Sequence, residues 1–153
     1  MKKDVVTGRS IDRIVAMSIR TNVFYVDDDA DDQMLFSEAF QEIQAQSPLN
    51  LQLFKAGNGQ DFFDLITASK IIPDITFLDI NMPIKNGFEC LTEIRATHQL
   101  KDRPVIMLST SDSRDVIKKS YSLGANKYIV KPPDFGELKE AIEKCLKEFK
   151  HAE

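Results

Sequence analysis

The 153-residue chain predicts an α/β fold: a doubly wound sheet of five parallel strands with helices on both faces. Three observations carry that expectation. From Asn22 onward, short runs of apolar or β-branched residues alternate with segments whose apolar residues recur every three or four positions. The runs at Val23–Val26, Ile75–Leu78 and Val105–Leu108 contain almost no polar residue, which suits strands buried on both faces of a parallel sheet. Finally, five such strand–helix units follow one another, and that succession implies one parallel sheet with right-handed crossovers.

The elements can be justified in order. Val23-Phe24-Tyr25-Val26 is a first strand, followed by the acidic run Asp27-Asp28-Asp29-Ala30-Asp31-Asp32, which suits a helix start. Phe36, Ala39, Phe40 and Ile43 then mark the inner face of a helix that Ser47-Pro48 ends. Leu49 to Ala56 reads as a second strand, and Gly57-Asn58-Gly59 turns the chain into a helix carrying Phe62, Phe63, Leu65 and Ile66. Ile75 to Leu78 is the third strand. Met82-Pro83 forbids its continuation, because proline has no donor and restricts the residue before it.

Gly87 opens a helix with Phe88, Cys90, Leu91 and Ile94 inward. Pro104 restarts the chain as the strand Val105 to Leu108, which ends in Ser109-Thr110-Ser111. A helix from Arg114 to Leu123 stops at Gly124, a good C-cap, and Lys127 to Val130 is the fifth strand. In the last helix Asp134 and Glu137 form a capping-box-like start, and Leu138, Ala141, Ile142, Cys145, Leu146 and Phe149 form the apolar face.

Residues 1–20 differ from this pattern: Met1-Lys2-Lys3-Asp4 is polar, and only Ile11, Ile14, Val15 and Ile19 hint at a helical stripe. They read as an N-terminal extension to a single domain at 21–150, with a short tail at 151–153 and no output domain. Met17 lies just before the first strand, so residues 1–16 are either native or the product of an upstream start; the mass of the native protein decides.

Composition narrows the function classes. With 42% apolar and 29% charged residues and a net charge of −4, the chain has no field to draw a polyanion, which disfavours nucleic-acid binding. No apolar stretch approaches the roughly 18 residues that span a bilayer, and the N-terminus lacks a secretory segment; a cytoplasmic protein with no membrane partner is expected. Cys90 and Cys145 lie in amphipathic helices without a CxxC or a histidine pair and read as buried free thiols. His98 and His151 read as exposed helix or tail residues.

The polar residues carry the function. All strands of a parallel sheet end on one edge, where ligands bind. There this sequence has Asp27, Asp28, Asp79, Ser109 and Lys131. Like charges about 4 Å apart repel by roughly 4 kcal/mol at an effective dielectric of 20. Several such pairs would consume much of a domain's typical stability of about 5–15 kcal/mol. Lys131 offsets one charge, and a hard divalent ion would offset two more. Mg²⁺ fits, because it takes one or two carboxylates and keeps waters and phosphate oxygens as its other ligands. With both cations in place, Asp79 becomes a nucleophile for a phosphoryl group, forming an acyl phosphate.

Five fragments in register resemble the response regulator receiver domain of two-component signalling, in the single-domain, chemotaxis-regulator-like form. They are Val26-Asp27-Asp28, Leu78-Asp79-Ile80-Asn81-Met82-Pro83, the following Gly87, Pro104 to Ser109, and Tyr128-Ile129-Val130-Lys131-Pro132, and they span about residues 22–150. The resemblance implies a flavodoxin-like strand order of 2-1-3-4-5. It implies that Asp79 accepts a phosphoryl group from a sensor histidine kinase or a histidine phosphotransfer protein. Asp27, Asp28, Asp79 and the Asn81 backbone carbonyl would hold Mg²⁺, Asp27 often through water. Lys131 would pair with a phosphoryl oxygen, and the Lys131–Pro132 bond would be cis. Ser109 would move toward the phosphoryl group and Tyr128 rotate inward with it, a switch that changes contacts with a downstream protein. Such a protein is a phosphoacceptor rather than an enzyme; it catalyses only its own phosphorylation and slow dephosphorylation.

The chain departs from the family pattern in three places. Thr110 stands where Ala or Gly is common, which would narrow water's access to the phosphoryl group. Pro133 replaces a common aromatic. The stretch from Asp28 to Asp79 is several residues longer than usual, with the excess placed around Gln44 to Leu49.

Other readings weigh less. Asp27, Asp29, Asp31 and Glu38 have calcium-loop spacing, but Asp32 occupies the position that needs glycine, and a strand precedes the run. An aspartyl-phosphate phosphatase needs an acid two residues after its nucleophile, and Asn81 stands there. An adaptor that works without phosphorylation is the alternative that an Asp79→Asn variant separates.

Overall fold

The computed structural model of the chain describes residues 19–149. The stripe at Ile11, Ile14 and Val15, the choice between Met1 and Met17, the tail 151–153 and His151 all lie outside that range. The described elements alternate from start to end: β1 (Arg20–Val26), α1 (Ala30–Gln46), β2 (Asn50–Ala56), α2 (Gly59–Ser69), β3 (Ile75–Leu78), α3 (Gly87–Ala96), β4 (Val105–Ser109), α4 (Arg114–Ser122), β5 (Lys127–Val130) and α5 (Phe135–Phe149). All five strands are parallel, in the order β2-β1-β3-β4-β5.

The two-residue period of the strands divides the core in two. From β1, Val23 and Tyr25 face one side, where Phe36, Phe40 and Ile43 of α1 and Leu138, Ile142 and Leu146 of α5 cover them. Phe24 and Val26 face the other side, with Phe62 of α2 and Cys90, Leu91 and Ile94 of α3. Unbroken apolar runs are therefore required in β1, β3 and β4, which lie inside the sheet with helices on both faces. Cys90 and Cys145 are buried free thiols, as expected. Burial pushes the Cys90 thiol up to about 12 and the Cys145 thiol up to about 11, so neither is an active nucleophile. Among the described residues no helix is long and apolar enough to cross a membrane.

The sequence underestimated β1. Polar Arg20, Thr21 and Asn22 extend the strand because each pairs with β2, at Asn50, Leu51 and Gln52, so ladder hydrogen bonds substitute for apolar burial. The expected cis bond at Lys131–Pro132 is absent: every peptide bond among the described residues is trans. Trans is the intrinsically preferred form of an X–Pro bond by about 0.5–1 kcal/mol, and in it the Lys131 side chain still reaches the carboxylates of Asp27, just after β1, and Asp32, in α1.

Turn chemistry places the helix starts on the edge where the strands end. Asp29, Asn58, Asn86 and Ser113 are N-caps whose side chains accept from the backbone N–H groups of Asp32, Asp61, Glu89 and Val116. At Asn86 the cap is a full capping box with Glu89. Gly124, with φ of +107°, ends α4 as its position predicted.

Candidate phosphoacceptor and metal site

Three backbone hydrogen bonds build the site. The Asp27 N–H donates to the Ala56 carbonyl at 3.0 Å, the Asp79 N–H to the Val26 carbonyl at 2.9 Å, and the Lys131 N–H to the Ser109 carbonyl at 2.7 Å. The ends of β2, β1 and β3 are thus tied side by side, and the first loop residue after β5 is tied to the end of β4, which the β3–β4 ladder sets beside them. Gln33 of α1 adds a clamp, donating through Nε2 to the carbonyls of Asp27 at 2.6 Å and Ala56 at 3.0 Å.

Close backbone approach places the loop after β3. The Gly87 N–H donates to the Ile80 carbonyl at 2.7 Å, and a Cβ on Gly87 would stand 2.2 Å from the Asp79 carbonyl oxygen. Only glycine lets α3 start that close to Asp79.

The side chains converge as the parallel topology requires. Asp27 and Ser109 are fully buried, Asp79 is nearly so, and Asp28 is exposed. One carboxylate oxygen from each of Asp27, Asp28 and Asp79 lies within 4.8 Å of the others. Lys131 Nζ donates to Asp27 Oδ2 at 2.8 Å and to Asp32 Oδ2 at 2.7 Å, and stands 3.7 Å from Asp79 Oδ1. Ser109 Oγ accepts from the Ser111 N–H at 3.3 Å. Tyr128, half-buried, donates its hydroxyl to the Ser111 carbonyl at 2.7 Å, so Ser109 and Tyr128 meet on one short loop. Asn81 is exposed on the loop after Asp79.

Sequence reading missed two partners. Asp32, part of the acidic run that suits a helix start, is an ion-pair partner of Lys131, and Tyr25, placed in the first strand, donates its hydroxyl to Asp27 Oδ2. Asp29 is the N-cap of α1 and also donates its N–H to Asp27 Oδ1 at 3.0 Å. For Tyr25 a signal existed, since residues two apart on a strand share a face.

Charge is out of balance at this edge. Burial raises the Asp79 carboxyl, the Asp27 carboxylate raises it further and Lys131 opposes both, leaving it pushed up to about 7. Burial works to lower the Lys131 ammonium, but its hydrogen bonds to Asp27 and Asp32 and the charges of Asp79 and Asp27 raise it above the usual lysine range. One ammonium faces four carboxylates. The donor set is all oxygen, clustered and open on the Asp28 side, and it fits a hard divalent cation that keeps part of its water shell.

The model of the response regulator receiver domain matches residues 23–143. The chain belongs to that family. Among curated relatives, this receiver domain is similar to the chemotaxis protein CheY homolog of Campylobacter jejuni, at 33% identity over 94 residues, covering 61% of this chain and 72% of the relative. It is also similar to the probable methanogenesis regulatory protein FilR2 of Methanothrix harundinacea, at 34% identity over 82 residues, 54% of this chain. The match spans about half of that relative's length, 52%. Among solved structures, the phosphorylated cyanobacterial phytochrome response regulator RcpA superposes with a TM-score of 0.78 at 29% identity, covering 88% of this chain and 97% of that one. Receiver domains are signalling domains that histidine kinases or phosphotransfer proteins phosphorylate, and the five-stranded order found here is that of response regulator structures.

Proposed function

We propose that this receiver domain is the phosphoacceptor of a response regulator: Asp79 takes a phosphoryl group from a phosphohistidine donor in a Mg²⁺-dependent reaction. The observation that carries the reading is the cluster of Asp27, Asp28 and Asp79 oxygens within 4.8 Å, beside an ammonium with one uncommitted proton. An Asp79 carboxylate oxygen bonds to phosphorus and the P–N bond breaks. The electron pair returns to the imidazole nitrogen, and the product is an acyl phosphate.

Asp27, Asp28, Asp79 and the Asn81 backbone carbonyl would hold the cation. When bound, Mg²⁺ supplies two positive charges against the carboxylate and phosphoryl oxygens. Lys131 donates its third proton to a phosphoryl oxygen. Among the described residues Ser109 Oγ is held by one long bond, from the Ser111 N–H, and is free to turn to the phosphoryl group. That movement draws on the loop carrying the Ser111 carbonyl, which holds the Tyr128 hydroxyl. Phosphorylation at Asp79 is thereby read at Tyr128 and on the face made by α4, β5 and α5, where Tyr121 and Val130 are exposed for a downstream protein.

Incubation with Mg²⁺ and acetyl phosphate tests the reading. The expected product is one acid-stable, base-labile phosphoryl adduct, mapped by mass spectrometry to Asp79 and absent in Asp79→Asn. No adduct on Asp79 from acetyl phosphate or from a cognate kinase removes the proposal. Unchanged signalling by Asp79→Asn would favour the phosphorylation-independent adaptor.

A further inference from the structure

Tyr25 leaves β1 on the α1 and α5 side, and Asp27, the residue just past the end of β1, lies two positions on, within reach of its hydroxyl. Its ring is stacked on Phe36 of α1, with centroids 4.0 Å apart and planes 7° from parallel, and Phe36 meets Phe77 of β3 edge-on at 5.2 Å. At 1% exposure the phenol has no access to solvent and must find its partner inside. That partner is Asp27 Oδ2, a carboxylate oxygen of the acidic cluster.

Asp27 is thereby held from three directions. Oδ2 accepts from Tyr25 and Lys131, and Oδ1 accepts from the Asp29 N–H at 3.0 Å, which leaves a lone pair on Oδ1 for a further ligand. Lys131 is also engaged by Asp32, and Asp29 belongs to the α1 cap. Tyr25 is the donor whose own position the aromatic stack on Phe36 sets.

We propose that Tyr25 is a positioning residue for the cation site: its phenol, immobilised on Phe36, sets the plane of the Asp27 carboxylate so that it can act with Asp28 and Asp79 on one divalent cation. The inference rests on the cation-site reading given above. Outer partners of ligating carboxylates typically contribute about 10- to 100-fold in metal affinity. A tyrosine that only fills the core would contribute to folding and leave the affinity unchanged.

Calorimetric titration with MgCl₂ of the wild type, Tyr25→Phe, Asp27→Asn, the double variant and Val23→Ala separates these roles, with unfolding midpoints taken without Mg²⁺. Tyr25→Phe keeps the ring on Phe36. It is expected to weaken Mg²⁺ about tenfold or more, and to add no further weakening in the Asp27→Asn background. Val23→Ala, which trims the same face of β1 at a fully buried residue, should lower the midpoint and leave the affinity within twofold. The proposal falls if Tyr25→Phe binds within twofold of the wild type, if its loss persists in Asp27→Asn, or if Val23→Ala weakens Mg²⁺ as much. Failure of the wild type itself to bind Mg²⁺ would overturn the cation-site reading, and this inference with it.

Discussion

The Lys131 ammonium lies 2.7 Å from Asp32 Oδ2 and 3.7 Å from Asp79 Oδ1, so its tighter commitment is to a residue of the first turn of α1. Under the proposed function, Asp32 would compete with Asp79 for the ammonium that pairs with a phosphoryl oxygen. Its side chain is 32% exposed, and a pair of that kind is worth up to about 1 kcal/mol. Asp32→Asn should therefore speed phosphorylation by acetyl phosphate by up to about fivefold at saturating Mg²⁺. Initial rates of adduct formation check this; an unchanged or slower rate means that Asp32 anchors Lys131 productively.

The Asp79 carboxyl at about 7 sets a pH dependence. In the unfolded chain it titrates near 3.8, so between about 4 and 7 the folded protein binds more protons than the unfolded one. Stability without metal should fall as pH rises through that window and level off above it. Asp79→Asn should flatten the slope, and the gain in unfolding midpoint from Mg²⁺ should be larger at pH 8 than at pH 5. Thermal melts of both proteins across that range, with and without Mg²⁺, provide the measurement.

Gly87→Ala should strike the site through the backbone. The added Cβ would meet the Asp79 carbonyl oxygen at 2.2 Å and Ile80 Cα at 2.7 Å, and neither atom is the end of a flexible side chain. A loss of about 1–3 kcal/mol in urea unfolding is expected, with slower adduct formation at Asp79 in the fraction that folds.

Ile84 points the other way. It is a β-branched residue at φ of +66°, 79% exposed, on the loop between Asp79 and Gly87. The left-handed region costs such a side chain roughly 1–2 kcal/mol, and little burial is lost on replacing it. Ile84→Asn should raise stability by about 1 kcal/mol in urea unfolding. Unchanged stability would mean that the loop relaxes around isoleucine at no cost.

Much of this was legible in the sequence because it follows from periodicity. Ile75–Leu78 and Lys127–Val130 are the bounds of β3 and β5 as read, and Phe36, Ala39, Phe40 and Ile43 are all buried in α1. Once five strands are parallel, Asp27, Asp79, Ser109 and Lys131 must share an edge. The polar start of β1 escaped because the apolar pattern is silent about a ladder that pairs Arg20 with Asn50.

By itself, then, the sequence determined the fold class and which strand ends carry oxygen and ammonium groups, since both depend on local pattern and chain order. Tertiary structure alone decided how those groups pair. Asp32 and Lys131 are 99 positions apart, and no spacing rule joins them; packing α1 beside the loop after β5 does. Tyr25 becomes a partner of Asp27 only because stacking on Phe36 points its hydroxyl at that buried carboxylate.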